Sequence, residues 1–186
     1  LLLLIPPDPL PDLRVVVAAG EACPLELVQR WAPGRAFFNA YGPTESTVCA
    51  SMFRCDPADP LPPPIGRPID HFQLYILDPH LQPVPVGVPG ELHIGGVGLA
   101  RGYLNRPELT AGRFIPSPFI PAQRLYKSGD LAAFRPDGNI EFLGREDQQV
   151  KINGYRVELG EVETALLQHE SVKEVVVHAV GAVDRG

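Results

Sequence analysis

The sequence predicts α/β and β structure in three successive parts: the end of an α/β sheet, an antiparallel β subdomain, and the start of a small α+β unit. Three observations carry this. Short apolar runs in the first fifty positions end at Gly or at tight turns and enclose a helical segment. Between Phe72 and Leu143 the apolar residues alternate with polar ones. Beyond Gly144 helical spacing returns, with Val162, Ala165 and Leu166 on one face.

Leu13 to Ala19 is a Val-rich run that ends at Gly20, the pattern of a buried strand with a turn at its carboxyl end. Pro24 to Trp31 reads as a short helix with Pro at its first position. Ala36 to Asn39 reads as a second buried strand. Ligands of such sheets sit at the carboxyl ends of the strands. Phe72, Leu74 and Ile76 alternate, as do Leu92 and Ile94. Leu131 to Arg135 and Ile140 to Leu143 flank Pro136-Asp137-Gly138-Asn139, a strong hairpin signal. Glu161 to Gln168 is predicted helical, and Val172 to Val180 a strand.

Composition narrows the classes. Of 186 residues 45% are apolar, enough for a real core. A formal charge of −6 argues against a nucleic-acid surface, which needs clustered Lys and Arg. No apolar run approaches the roughly 18 residues of a membrane span. Leu1 to Ile5 is too short for a signal sequence and lacks a basic flank, so it reads as the cut end of a buried element. Both ends read as arbitrary, and the chain as a fragment of a longer one. An odd cysteine count of 3 points to reduced thiols and a cytoplasmic setting. Cys49 and Cys55 have no His cluster near them, which argues against zinc. The 22 prolines cluster in connections between short strands.

The most informative stretch is Asn39-Ala40-Tyr41-Gly42-Pro43-Thr44-Glu45-Ser46-Thr47. Gly42 lets backbone approach a ligand closely, and Pro43 fixes its own φ. Tyr41 offers a flat face to a planar base. Thr44 and Glu45 offer hard oxygens to Mg²⁺, an ion that keeps company with phosphates.

Three further stations follow. Gly95-Gly96-Val97-Gly98-Leu99-Ala100-Arg101-Gly102-Tyr103 invites a dinucleotide-loop reading. It fails on context, with no βαβ unit and no acidic residue about 20 positions on; a packed turn is expected. In Tyr126-Lys127-Ser128-Gly129-Asp130-Leu131, Asp130 stands just before a predicted strand. It could accept the hydroxyls of a ribose or simply cap a turn. The charge-dense run Gly144 to Leu159 fits either a mobile connection or a solvated loop.

In this order these motifs closely resemble the adenylate-forming enzymes, above all the amino-acid-activating (adenylation) domains of nonribosomal peptide synthetases. The resemblance implies that residues 1–146 are the carboxyl-terminal portion of the large AMP-binding core. Residues 147–186 are then the start of the small mobile carboxyl-terminal domain, truncated. It implies ATP and Mg²⁺, with Thr44, Glu45 and Lys151 catalytic and Glu45 the metal ligand. Gly20, Glu21, Ala22, Asn39, Tyr41, Gly42, Asp130, Arg145 and Arg156 would bind the nucleotide, Asp130 and Arg145 at the ribose and Arg156 at the phosphate. Asp147 would be the hinge, and Lys151 and Gly154 would face the site in a thioester-forming orientation. Asn153 stands where Arg is more usual. The Asn105-Arg106-Pro107-Glu108-Leu109-Thr110 segment is a structural signature.

Val17, Ala19, Ala40, Val48 and Cys49 match the substrate-pocket wall. All are small or apolar, so the pocket should take phenylalanine or another apolar amino acid and reject charge. The implied reaction forms an aminoacyl-adenylate and passes it to a phosphopantetheine thiol. That thiol belongs to a peptidyl carrier domain, with a condensation domain as a further partner. The upstream phosphate loop and the terminal lysine of the family are not in this sequence, so no activity is expected of the segment alone. An acyl-CoA or aryl-CoA ligase of the same superfamily and a non-catalytic nucleotide-binding remnant remain alternatives.

Overall fold

A parallel strand pair and the helix that joins it open the fold. The computed structural model describes residues 2–6, 10–146, 149–152, 155–178 and 180. Strands β1 (Val15–Ala19) and β2 (Ala36–Tyr41) run parallel and are connected through helix α1 (Leu25–Trp31). Pro24 stands at the N-cap of α1, one place before the expected first turn. Leu27, Val28 and Trp31 of α1 pack on Val16 and Phe37. Trp31 Nε1 donates to the Leu2 carbonyl at 3.1 Å and holds the Leu2–Leu4 3-10 turn against this cluster.

The fully buried strand expected at Leu13–Ala19 is half right. Side chains alternate across a strand, and α1 covers the Val16 face. On the other face Val15 and Val17 stay 52% and 50% exposed. Strand β3 (Ser51–Cys55) adds antiparallel to β2, and β4 (Arg67–Pro68) pairs with β3.

The second sheet holds β5 (Phe72–Leu77), β6 (Gly90–Gly96), β7 (Phe114–Pro116), β8 (Arg124–Phe134) and β9 (Ile140–Arg145). Its path is β5-β6-β8-β7, with β9 on β8. The predicted alternation sets the register: Leu74 pairs with Ile94 and Ile76 with Leu92. These four residues pack with Tyr126, Phe114 and Ile140 in one core cluster. Tyr41, the last residue of β2, belongs to the same cluster, so the turn after β2 is packed against the second sheet. Helix α2 (Pro107–Arg113) lies between β6 and β7 and covers the signature segment.

The Pro136–Asn139 hairpin forms as predicted, with Phe134 opposite Ile140 and Gly138 at φ +81°. However, β8 begins at Arg124, not Leu131. Its stretch from Lys127 to Asp130 is polar and hides the strand from any hydrophobic pattern. Beyond the second sheet, β10 (Val150–Ile152) and β11 (Tyr155–Val157) form an antiparallel pair, followed by helix α3 (Leu159–Leu167). Val162 and Leu166 of α3 are 38% and 45% exposed. The strand expected at Val172–Val180 does not form at the described positions 172–178 and 180. A strand needs a neighbour for its backbone groups, and no described strand stands beside it.

Candidate functional site

Two clusters meet where β2 turns toward the second sheet. The first centres on Glu45. Only glycine fits at position 42, where a Cβ would lie 2.6 Å from the Cys49 Cα and 2.8 Å from the Ala50 nitrogen. Ala50 N donates to the Tyr41 carbonyl at 2.8 Å and closes the turn. Within it, Thr44–Ser46 forms one 3-10 turn with Glu45 buried and Thr44 exposed. Thr47 and Val48 follow in the left-handed region at φ +56° and +73°. That is rare for β-branched residues and marks local strain.

The Gly-rich run after β6 packs directly on this turn. Ala100 N donates to the Glu45 carbonyl at 2.8 Å, and Thr47 Oγ1 donates to the Gly98 carbonyl at 2.6 Å. Tyr103 Oη donates to Glu45 Oε1 at 2.6 Å and lies 3.4 Å from Tyr126 Oη. Burial, then the bond to Glu45, pushes the Tyr103 phenol well above its ordinary pKa. A Cβ on Gly98 would meet the Phe72 ring at 2.3 Å. The run is the packed turn the sequence implied, and what it packs on is the Glu45 turn.

The second cluster centres on Asp130. Tyr41 Oη donates to Asp130 Oδ2. Arg145 Nη1 donates to Asp130 Oδ1 at 2.5 Å, and its Nη2 to the Ser128 carbonyl at 3.3 Å. Arg145 and Asp130 side chains are 6% and 7% exposed, so the ion pair is held away from bulk water. Burial first, then the Asp130 charge, drives the Tyr41 pKa upward and keeps its proton in place. The pairing of Asp130 with Arg145 across β8 and β9 follows from the strand register. Asp130 therefore lies inside a strand rather than just before one.

Between these clusters and the carboxyl end of β1 lies a cavity of about 170 Å³. Gly20, Glu21 and Ala22 line it together with Asn39 to Gly42, Pro62, Ile65 and Phe142. Asn39 Nδ2 donates to the Pro64 carbonyl at 2.9 Å and ties the proline-rich connection to β2. Arg135 and Glu141, bonded at 3.1 Å, also line it. The sequence-predicted nucleotide residues that follow β1 and close β2 thus share this cavity. Of the predicted substrate wall only Ala40 lines it. Val17, Ala19, Val48 and Cys49 do not, and Val48 is 72% exposed.

The carboxyl-terminal site residues are placed only in part. Asp147, Asn153 and Gly154 lie outside the described residues. Lys151 and Arg156 stand opposite each other in the β10–β11 register, and their side chains lie outside what is described. Among the described residues no three His, Cys, Asp or Glu side chains converge. The donor set at Glu45 is one buried carboxylate beside an exposed Thr44 hydroxyl. It fits Mg²⁺ held chiefly by phosphates, as that ion commonly is, and not a protein-built cage.

Two residues of these clusters escape a reading of the sequence, Tyr103 and Glu91. Tyr103 stands in the sequence only as the end of a glycine run. Glu91, beside His93 in β6, carries no motif, yet its Oε1 accepts the Gly129 amide at 3.1 Å next to Asp130.

Residues 5–104 match the family described as AMP-binding enzyme. A linear gramicidin synthase of Brevibacillus parabrevis is 62% identical over 176 residues, which is 94% of this chain and 3% of that protein. The solved structure of PA1221, a synthetase protein containing adenylation and PCP domains, superposes with a TM-score of 0.80 at 32% identity. That match covers 88% of this chain and 34% of the other. The Vibrio cholerae adenylation domain AlmE, solved with glycyl-adenosine-5'-phosphate, superposes with a TM-score of 0.77 at 34% identity. Here 87% of this chain and 32% of AlmE are covered. The chain thus spans a small part of the curated relative and about a third of the solved neighbours.

Proposed function

Since this chain belongs to the AMP-binding enzyme family, in the adenylation-domain type of nonribosomal peptide synthetases, we propose that it supplies the nucleotide-binding part of an amino-acid-activating ligase. The observation that carries this reading is the Tyr41–Asp130–Arg145 cluster beside the cavity bounded by residues 20–22 and 39–42. The adenine base occupies the cavity, and the ribose hydroxyls are accepted by Asp130 with Arg145 adjacent.

In the reaction, the amino-acid carboxylate attacks the α-phosphorus of ATP, pyrophosphate departs, and an aminoacyl-adenylate remains. Glu45, oriented by the Tyr103 hydroxyl, would hold Mg²⁺, with Thr44 beside it. When bound, Mg²⁺ offsets charge on the phosphates. Arg156 approaches the nucleotide phosphate, and Lys151 faces the site in the thioester-forming orientation. Residues 1–146 belong to the large core and 147–186 to a small domain that turns about Asp147. After the turn, a phosphopantetheine thiol on a partner carrier domain attacks the acyl carbon and AMP leaves. A condensation domain then uses the thioester. The substrate side chain is apolar, phenylalanine among the candidates, because Val17, Ala19, Ala40, Val48 and Cys49 are all small or apolar; of these only Ala40 lines the cavity given to the base. A supply of ATP and the free Cys23, Cys49 and Cys55 suit a cytoplasmic setting.

The test is amino-acid-dependent ATP–pyrophosphate exchange by the full-length synthetase carrying this segment, across Phe, Tyr, Leu, Val and an aryl acid. Exchange with Phe supports both reaction and pocket. Exchange with another amino acid keeps the reaction and discards the pocket. Activity only with the aryl acid overturns the peptide-synthetase reading. Asp147→Pro should spare exchange and block loading of the carrier thiol; equal loss of both steps would remove the hinge assignment.

A further inference from the structure

The strand pair β6–β8 is broken beside Asp130. Glu91 pairs with Leu131 and His93 with Lys127. Only Leu92 stands between the two on β6, while Ser128, Gly129 and Asp130 stand between their partners on β8. The surplus residues form a bulge, and a bulge re-aims side chains. Gly129 takes φ +72° there, which glycine alone adopts freely.

Side chains replace the missing ladder bonds of this bulge. Ser128 Oγ donates to the Leu92 carbonyl at 2.5 Å and accepts Asp130 N at 3.0 Å. Gly129 N donates to Glu91 Oε1 at 3.1 Å. The Gly129 carbonyl in turn accepts Glu146 N at 2.9 Å, next to Arg145. Glu91 is itself braced: its Oε2 lies 3.7 Å from Lys127 Nζ and 3.7 Å from His93 Nε2. His93 is fully buried, and burial lowers its pKa, so the ring stays neutral and Lys127 carries the charge that faces Glu91.

We propose that Glu91 is a positioning residue for nucleotide binding. Its carboxylate fixes the Gly129 amide and so aims Asp130 at the ribose. This rests on the assignment of Asp130 to the ribose made above. Without an acceptor at position 91, the buried amide loses its partner and the bulge relaxes. Asp130 then leaves the line between Tyr41 and Arg145.

The experiment measures pyrophosphate exchange by the full-length synthetase with ATP and with 2′,3′-dideoxy-ATP. Glu91→Ala should raise the KM for ATP about tenfold while leaving the KM for the amino acid unchanged. Glu91→Gln keeps an acceptor oxygen and should stay within about twofold of the parent. With the dideoxy nucleotide, Glu91→Ala and the parent should have the same KM, because the hydroxyls that Asp130 reads are gone. If Glu91→Ala does not fold, Glu91→Asp, whose shorter side chain falls short of Gly129 N, should show the same loss for ATP only. An equal loss for both nucleotides, or a Gln variant as poor as Ala, would overturn the proposal. Asp130→Ala, which leaves no acceptor for the ribose hydroxyls, is the control: an unchanged KM for ATP there overturns the ribose assignment itself, whatever the Glu91 variants do.

Discussion

Tyr103 donates its phenolic hydrogen to Glu45 Oε1 at 2.6 Å across 58 positions of sequence. The bond joins the end of the Gly-rich run to the acidic residue of the Gly-Pro turn. A buried carboxylate needs such a donor, and a hydrogen bond to a charged group contributes about 1.5–3 kcal/mol. Tyr103→Phe should therefore slow adenylate formation at least about tenfold, read by pyrophosphate exchange. The fold at this point should survive, because Tyr103 N still donates to Thr110 Oγ1 at 2.9 Å. An unchanged exchange rate would reduce Tyr103 to a packing role.

Gly42 has no room for a side chain. A Cβ there meets backbone atoms of Cys49 and Ala50, and backbone cannot swing aside. Gly42→Ala should cost about 3 kcal/mol, seen as a lower urea midpoint. Gly34→Ala is a useful contrast, since nothing lies within 4 Å of its Cβ and only its φ of +74° opposes the change. It should cost about 1 kcal/mol.

Arg145 makes forked contacts with Asp130 and the Ser128 carbonyl. A lysine ammonium keeps the charge and loses the fork. Arg145→Lys should lower stability by about 1–2 kcal/mol, and Arg145→Met by about 3–5 kcal/mol because Asp130 is then buried without its cation. Denaturant unfolding of the two variants checks the order. Equal stability of Arg145→Met and the parent would show that Asp130 does not depend on the Arg145 cation.

Burial pushes the Cys23 thiol up to about 12 and the Cys55 thiol up to about 11, from an ordinary 9.0. Both shifts are upward, so the folded state favours the protonated thiols. Their stabilisation is complete below about pH 9 and fades as pH rises through 11 to 12. At pH 8 a thiol reagent should label partly exposed Cys49 and spare both others until the chain unfolds. Fast labelling of Cys23 in the native protein would contradict its buried place beside α1.

Periodicity is a local signal, and it is readable where neighbours obey it. Leu74, Ile76, Leu92 and Ile94 announce β5 and β6, and the Pro136–Asn139 turn announces the β8–β9 hairpin. The polar stretch of β8 from Lys127 to Asp130 is hidden because Lys127, Ser128 and Asp130 make ion pairs and hydrogen bonds rather than apolar contacts. The absent strand at 172–178 has the right residues, but no described strand stands beside it. The exposed Val15 and Val17 read as buried because a sequence cannot say which strand face is covered.

By itself the sequence determined the family, the order of its stations and the residue types that can do the chemistry. Glycine at 42, a carboxylate at 45 and a carboxylate at 130 are local facts fixed by backbone space and ionisation. Tertiary structure alone decided which of them meet. Strand register put Arg145 across from Asp130, the close of β2 on the second sheet brought Tyr41 to the same carboxylate, and the β6–β8 bulge brought in Glu91. These partners lie from 15 to 89 positions apart. Contacts at such separations depend on how sheets pair and pack, which no window of sequence records.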